Sequence, residues 1–302
     1  MDQTVVDVSA LSRSFARKIA LDDVSFRATA GRIYGLVGAN GAGKTTLIKH
    51  LLGLLRAATG SVRVFGLDPV RCPVDVLRRV GYLSEERDLP GWMRVDELMR
   101  YTQAYHPTWD TTYARELLST FGLDPAKKVK ELSKGMRAQA GLLVAVAHRP
   151  ELLILDEPSS GLDAVVRRDI LDAIVRTVAD DGRTVIFSSH LLDEVERMSD
   201  HVTMIQNGRV TLSGALDDVR SGYQRSRVRF VEPFDRPPAV AAALAMEGGG
   251  RSWSIVYSGS HEQFHHSVLA LGGEVVESRD ATLEEIFLAH AGRDRQPVEE
   301  MR

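Results

Sequence analysis

The amino-acid sequence predicts an α/β fold in which a parallel sheet is covered by helices on both faces, with a smaller α/β segment behind it. Three observations predict it. Short, largely apolar runs at Ile33–Val37, Leu152–Leu155, Thr184–Phe187 and Val202–Ile205 alternate with amphipathic stretches of helical length, the pattern of strands buried on both faces. The first of these runs leads straight into a glycine-rich loop and then a helix-forming stretch. Near Arg220–Arg225 the composition turns polar, and a second strand-and-helix pattern begins.

In chain order, Val6 with Val8 and Val24 with Phe26 alternate as half-buried strands ahead of Ile33–Val37. Residues 94–148 break the rhythm: helix follows helix with no strand between, which describes a helical insertion in the α/β domain. Beyond residue 220, Val228–Val231, Ser254–Tyr257 and Glu274–Glu277 are expected as strands, and Pro238–Met246, His261–Leu271 and Thr282–Ala291 as helices. The expected organisation is a large domain over residues 1–220, a small α/β accessory domain over 221–291, and a frayed tail from Gly292 to Arg302. The small domain is near the lower size limit for independent stability, so it is expected to lean on the larger domain or on a second copy of itself.

Composition narrows the function class. The chain has 302 residues, 44% hydrophobic and 26% charged, with a formal charge of −3, so a folded protein is expected and nothing global favours nucleic acid. The single cysteine, Cys72, offers neither an intrachain disulfide nor a cysteine-based zinc framework. The opening Met-Asp-Gln-Thr is polar and acidic and does not read as a signal peptide. The longest apolar run, residues 237–246, is shorter than the roughly 18 residues that a membrane span needs.

Residues 38–45 read GANGAGKT and match the phosphate-loop pattern in both letters and context, between a buried strand and a helix. Gly38, Gly41 and Gly43 let the backbone curl so that several N–H groups face one concavity, and the following helix adds its positive end. Lys44 is placed to reach the β- and γ-phosphates and the Thr45 hydroxyl to ligate magnesium. Far downstream, LLILDE at 152–157 puts Asp156 and Glu157 at the carboxyl end of a strand, where open α/β sheets bind their ligands. Asp156 suits the magnesium shell and Glu157 the polarisation of an attacking water. No Asn-Lys-x-Asp run is present to recognise guanine.

Residues 132–136 read LSKGM, and the helix that follows puts Ser133 and Gly135 at a helix N-terminus, a second position suited to an anion. The order of phosphate loop, LSKGM and Asp-Glu strand resembles the ATP-binding cassette (ABC) ATPases throughout residues 5–213. The resemblance implies a P-loop core with antiparallel N-terminal strands and a helical subdomain, ATP and Mg2+ as ligands, and a head-to-tail pair of cassettes. In that pair, Ser133 and Gly135 of one chain close over the nucleotide of the other. The pair is a homodimer or a heterodimer with a related ATPase. It also implies nucleotide contacts along the loop from Asn40, Ala42 and Thr46, a ring under adenine from Phe15, a D-loop ending at Asp163, and a γ-phosphate switch at His190. Two departures stand out. Glu85, with Glu86 beside it, occupies the place of a metal-contacting glutamine, and a carboxylate is still a hard oxygen ligand. Met136 replaces the last residue of the LSGGQ signature.

YHPTWD at 105–110, LSKGM itself and the ending ATLEEIFLAHAG at 281–292 are similar to Ytr-like and antibiotic- or peptide-exporter ATPases of bacteria. That resemblance implies permease subunits encoded separately and a cytoplasmic protein held peripherally on the inner face of the membrane. A soluble ABC ATPase acting on a macromolecular complex is the alternative, although neither a second cassette nor a long coiled-coil insertion is visible. Leu89-Pro90-Gly91-Trp92-Met93 is an apolar stretch suited either to docking a membrane subunit or to burial against the helical insertion. The HEQFHH run at 261–266 reads as a solvated helix face rather than a metal site.

Overall fold

The computed structural model describes residues 3–16, 18–179 and 182–293. Two compact units divide the chain between Leu212 and Ser213.

In the first unit, β1 (Thr4–Phe15) and β2 (Lys18–Thr29) form an antiparallel pair. Then come β3 (Ile33–Val37), α1 (Lys44–Leu51) and β4 (Thr59–Val64), the last pairing antiparallel with β1. Next are α2 (Pro73–Leu77), β5 (Val80–Leu83), α3 (Val95–Gln103), α4 (Thr111–Thr120), a 3-10 turn at Val129–Glu131, and α5 (Lys134–Val146). The unit continues through β6 (Leu152–Asp156), α6 (Ala164–Ala179), β7 (Thr184–Ser189), α7 (Leu192–Met198), β8 (His201–Gln206) and β9 (Arg209–Ala215).

The main sheet has the order β5-β6-β7-β3-β8-β9, and β5 with β6, β6 with β7, β7 with β3 and β3 with β8 all pair in parallel. β3, β6 and β7 are buried along their whole length, as strands covered on both faces must be. Only the two residues Asn207 and Gly208 separate β8 from β9, and both have positive φ (50° and 79°), which is how a tight hairpin turns. The helical stretch expected over 94–148 is α3, α4 and α5, joined by the short 3-10 turn. Asp110 accepts a hydrogen bond from the Tyr113 amide to cap α4, and Ser133 caps α5 in the same way through the Met136 amide.

The second unit holds α8 (Leu216–Ser221), β10 (Tyr223–Phe234), β11 (Ala243–Ser258), α9 (His261–Ala270), β12 (Gly273–Asp280) and α10 (Leu283–Arg293). Its antiparallel sheet has the order β11-β10-β12. Val228, Phe230, Trp253, Ile255, Tyr257, Phe264 and Val268 form its core.

One expected helix is absent. Residues 238–240 are irregular and 243–246 open β11. Pro237 and Pro238 carry no backbone donor, Ala242 takes φ 62°, and a short apolar run carries no period that separates helix from strand. The tail expected from Gly292 lies outside the described residues from 294 on, and α10 runs through Arg293. Among the described residues, no helix is long and apolar enough to cross a membrane.

Candidate active site

The site is built at the carboxyl ends of β3, β6 and β7. Where β3 ends the chain curls, with Gly41 at φ 80° and Gly43 at φ 119°. A side chain at Gly38 would put its Cβ 2.3 Å from the Ile205 carbonyl, and one at Gly43 would come within 2.6 Å of the Ala20 carbonyl, so the loop closes only with glycine there. A cavity of about 450 Å³ opens over this loop. Asn40, Gly41, Ala42, Gly43, Lys44, Thr45 and Thr46 form its floor, with Phe15, Lys18, Glu85 and Glu157 around it.

Lys44 is 5% exposed and donates to the Gly38 carbonyl at 2.6 Å. Its ammonium also lies 3.0 Å from Glu157 Oε1. The other Glu157 oxygen, Oε2, is 2.7 Å from His190 Nδ1. A carboxylate only accepts, so in this contact Nδ1 carries the proton. Three residues from separate segments therefore meet at one buried carboxylate. Glu157 itself has φ 49°, an uncommon backbone for a non-glycine residue.

Ser188 fixes that backbone. Its hydroxyl donates to Asp156 Oδ1 at 2.6 Å and accepts from the Glu157 amide at 2.9 Å, all within the fully buried ends of β6 and β7. The pairing register sets Asp156 opposite Ser188. Burial first, and then the nearby Asp156 carboxylate, push the Tyr82 phenol up to about 12. Beyond Glu157 the chain turns through Pro158–Ser160. The Ser159 hydroxyl donates to buried Glu194 at 2.6 Å, and Ser189 donates to the same carboxylate at 3.2 Å.

The remaining site residues expected from the sequence lie elsewhere. Ser133 and Gly135 stand at the α5 N-terminus, with a Cβ at 135 only 3.0 Å from Val166, and neither lines this cavity. Asp163 accepts from the Val165 and Val166 amides at the start of α6. Asp156 is buried, 1% exposed, and does not line the cavity. Of the two adjacent carboxylates, Glu85 lines the cavity and Glu86 does not. Phe15 is 42% exposed, with the Arg13 guanidinium 4.9 Å from its ring centre. The Leu89–Met93 stretch divides: Met93 is buried with Leu98 and Val129, while Trp92 is 71% exposed. The His261 and His265 rings lie 4.5 Å apart on α9, tilted by 59°, and no cluster of three His, Cys, Asp or Glu among the described residues is placed to hold a metal alone.

Sequence reading missed Ser188, Glu194, Lys18 and Arg87. The two serines before His190 carried a faint signal, polar residues closing a buried strand; the others carried none.

The family described as ABC transporter matches residues 21–160. The ABC transporter ATP-binding protein YtrB of Bacillus subtilis is 27% identical over 97% of this chain and 100% of its own. The daunorubicin resistance ATP-binding protein DrrA3 of Streptomyces coeruleorubidus is 31% identical over 99% of each chain. The bacitracin transport ATP-binding protein BcrA of Bacillus licheniformis is 30% identical over 81% of this chain and 79% of its own. Among solved structures, the ATP binding subunit of an ABC transporter matches with a TM-score of 0.67 at 31% identity, covering 72% of this chain and 92% of that one. The dimeric cassette MJ0796 matches with a TM-score of 0.63 at 18% identity, over 70% of this chain and 98% of that one, and so shares the fold. Identity sustained over the full length of DrrA3, joined to a phosphate loop whose lysine meets the Asp-Glu strand, places this chain among the ABC transporter ATP-binding proteins, and it is an ATPase.

Proposed function

We propose that this chain powers a bacterial exporter, hydrolysing ATP at two sites shared between paired cassettes and driving separate membrane subunits. The observation that carries the chemistry is the buried Glu157 carboxylate, held by Lys44 and His190 at the edge of the phosphate loop. ATP in the 450 Å³ cavity lays its phosphates along the amides of residues 40–46, with Phe15 beside the base. Lys44 is then drawn to the β- and γ-phosphates. That leaves Glu157, steadied by His190, to accept the proton of the attacking water.

The donor set fits magnesium. Thr45 and Glu85 line the cavity and Asp156 is a buried carboxylate at the end of β6, and an ion that keeps few protein ligands takes the rest from phosphate and water. When bound, that ion neutralises charge on the transferring phosphate. Ser133, Gly135 and Asp163 stand away from this chain's own cavity, which supports a role across a head-to-tail pair. Exposed Trp92 supports docking of a membrane subunit, which would hold the protein on the inner face of the membrane. The roles of DrrA3 in daunorubicin resistance and of BcrA in bacitracin transport support export. The second unit is assigned to strengthening or regulating the pair.

Glu157→Gln and Lys44→Ala test the chemistry together. Glu157→Gln should bind ATP, release no phosphate and accumulate as a dimer by light scattering, whereas Lys44→Ala should lose tight ATP binding. Full turnover by Glu157→Gln would remove the assignment of the base.

A further inference from the structure

Arg87 is 4% exposed, yet among the described residues it makes no ion pair with a carboxylate. Its Nη2 donates to the Pro158 carbonyl at 3.2 Å and to the Ser160 carbonyl at 2.9 Å. Its Nε and Nη1 are buried with no hydrogen-bond partner. A buried cation hydrogen-bonded only to two backbone carbonyls, with the Glu85 charge as the offset to its burial, is a costly arrangement, and natural interiors seldom keep one without a use.

The position of the residue suggests the use. Arg87 lies two residues after Glu85, which lines the nucleotide cavity, and two before the Leu89–Met93 stretch that exposes Trp92. Its backbone is pinned as tightly as its side chain. The amide donates to the Ser84 carbonyl at 3.2 Å and to the Ser84 hydroxyl at 3.1 Å, its carbonyl accepts from the Leu89 amide at 2.8 Å, and φ is 53°. The carbonyls it holds belong to the turn immediately after Glu157. That turn begins at a residue with φ 49° and is gripped from a second side by Ser159 and Glu194. With little slack at either end, a shift of the 84–89 loop moves the Pro158–Ser160 backbone, and with it the Glu157 carboxylate.

We propose that Arg87 is a positioning residue for hydrolysis, a tether that makes the placement of Glu157 follow the loop running from Glu85 to Trp92. This rests on the reading of Glu157 as the base. A tether acts on the chemical step and leaves the nucleotide contacts in place, so kcat and KM should separate. A displacement of about 1 Å at a reacting group can cost on the order of 10²-fold in rate.

The test uses the full chain with Arg87→Met, which keeps bulk and removes the donors, and Arg87→Lys, which keeps a charge and one reaching donor. Expected results are a kcat lower by about tenfold or more in Arg87→Met, KM for ATP within about twofold, and partial recovery in Arg87→Lys. Amide exchange at 159–162 should speed up in the same order. If Arg87→Met does not fold, Arg87→Lys carries the test alone through a reduced kcat at unchanged KM. Unchanged kcat in the folded variants, or kcat and KM shifting together, overturns the tether. A Glu157→Gln control separates the failures: turnover there sinks the base itself, while a dead Glu157→Gln beside a fully active Arg87→Met sinks only this inference.

Discussion

Ser188→Ala is the sharpest probe of how the site is held. The Ser188 side chain is fully buried, Asp156 is 1% exposed and Glu157 4%, so bulk water does not screen the contacts that are lost. Two bonds disappear: the one donated to the Asp156 carboxylate at 2.6 Å and the one accepted from the Glu157 amide at 2.9 Å. A bond to a charged group contributes about 1.5–3 kcal/mol and a neutral one about 0.5–1.5, so the expected loss of stability is about 2–4.5 kcal/mol. The substitution also frees the φ 49° backbone of Glu157, so ATP turnover should fall along with stability. Urea unfolding followed by circular dichroism gives the first quantity, read as a shift in midpoint at constant slope, and phosphate release gives the second. Ser189→Ala is the comparison, because that hydroxyl touches Glu194 and not Asp156. A stability change below about 0.5 kcal/mol with normal turnover would refute the reasoning, since that is the size of an ordinary surface substitution.

Burial, followed by the charge of stacked His106, holds His148 down to about 4 against an ordinary 6.5, and His106 is lowered as well, chiefly by burial. The native imidazole stays neutral where the unfolded one takes a proton, so stability present above pH 6.5 should drain away, by roughly 3 kcal/mol in all, as pH falls from 6.5 towards 4. Unfolding midpoints across that window should slope less steeply in His148→Gln, and equal slopes would discard the assignment. Trp92→Ala removes a side chain that is 71% exposed, so the unfolding midpoint should barely move, within about 0.5 kcal/mol, while co-purification with the membrane subunit should drop. A misfolded Trp92→Ala would place the ring in the core instead.

The parts of the site that could be read from the sequence are those whose chemistry needs fixed spacing along the chain. GANGAGKT is legible because one loop must supply the curl, the amides, the cation and the hydroxyl within eight residues. Glu157 is legible for a related reason, since it follows a buried strand at the end where such sheets bind ligands, whereas His190 is legible only through the family resemblance. Ser188 is hidden because its meaning comes from register. It faces Asp156 only once β6 and β7 are side by side, and a one-residue slip would turn its hydroxyl to the other face of the sheet. Arg87 is hidden because a lone arginine among acidic loop residues reads as solvated, and its burial depends on a turn 71 residues away. β4 escaped notice for a simpler reason, since Thr59–Val64 is an edge strand with only Val62 and Val64 buried. The helix expected over 238–246 failed because its composition carries hydrophobicity without period, and residues 243–246 run instead as the opening of β11. The residues that remained hidden are therefore of one kind. Ser188, Glu194 and Arg87 do not line the cavity. They hold the strained turn at Glu157 from three directions, and such a hold is a property of contacts between distant segments, which spacing along the chain does not encode.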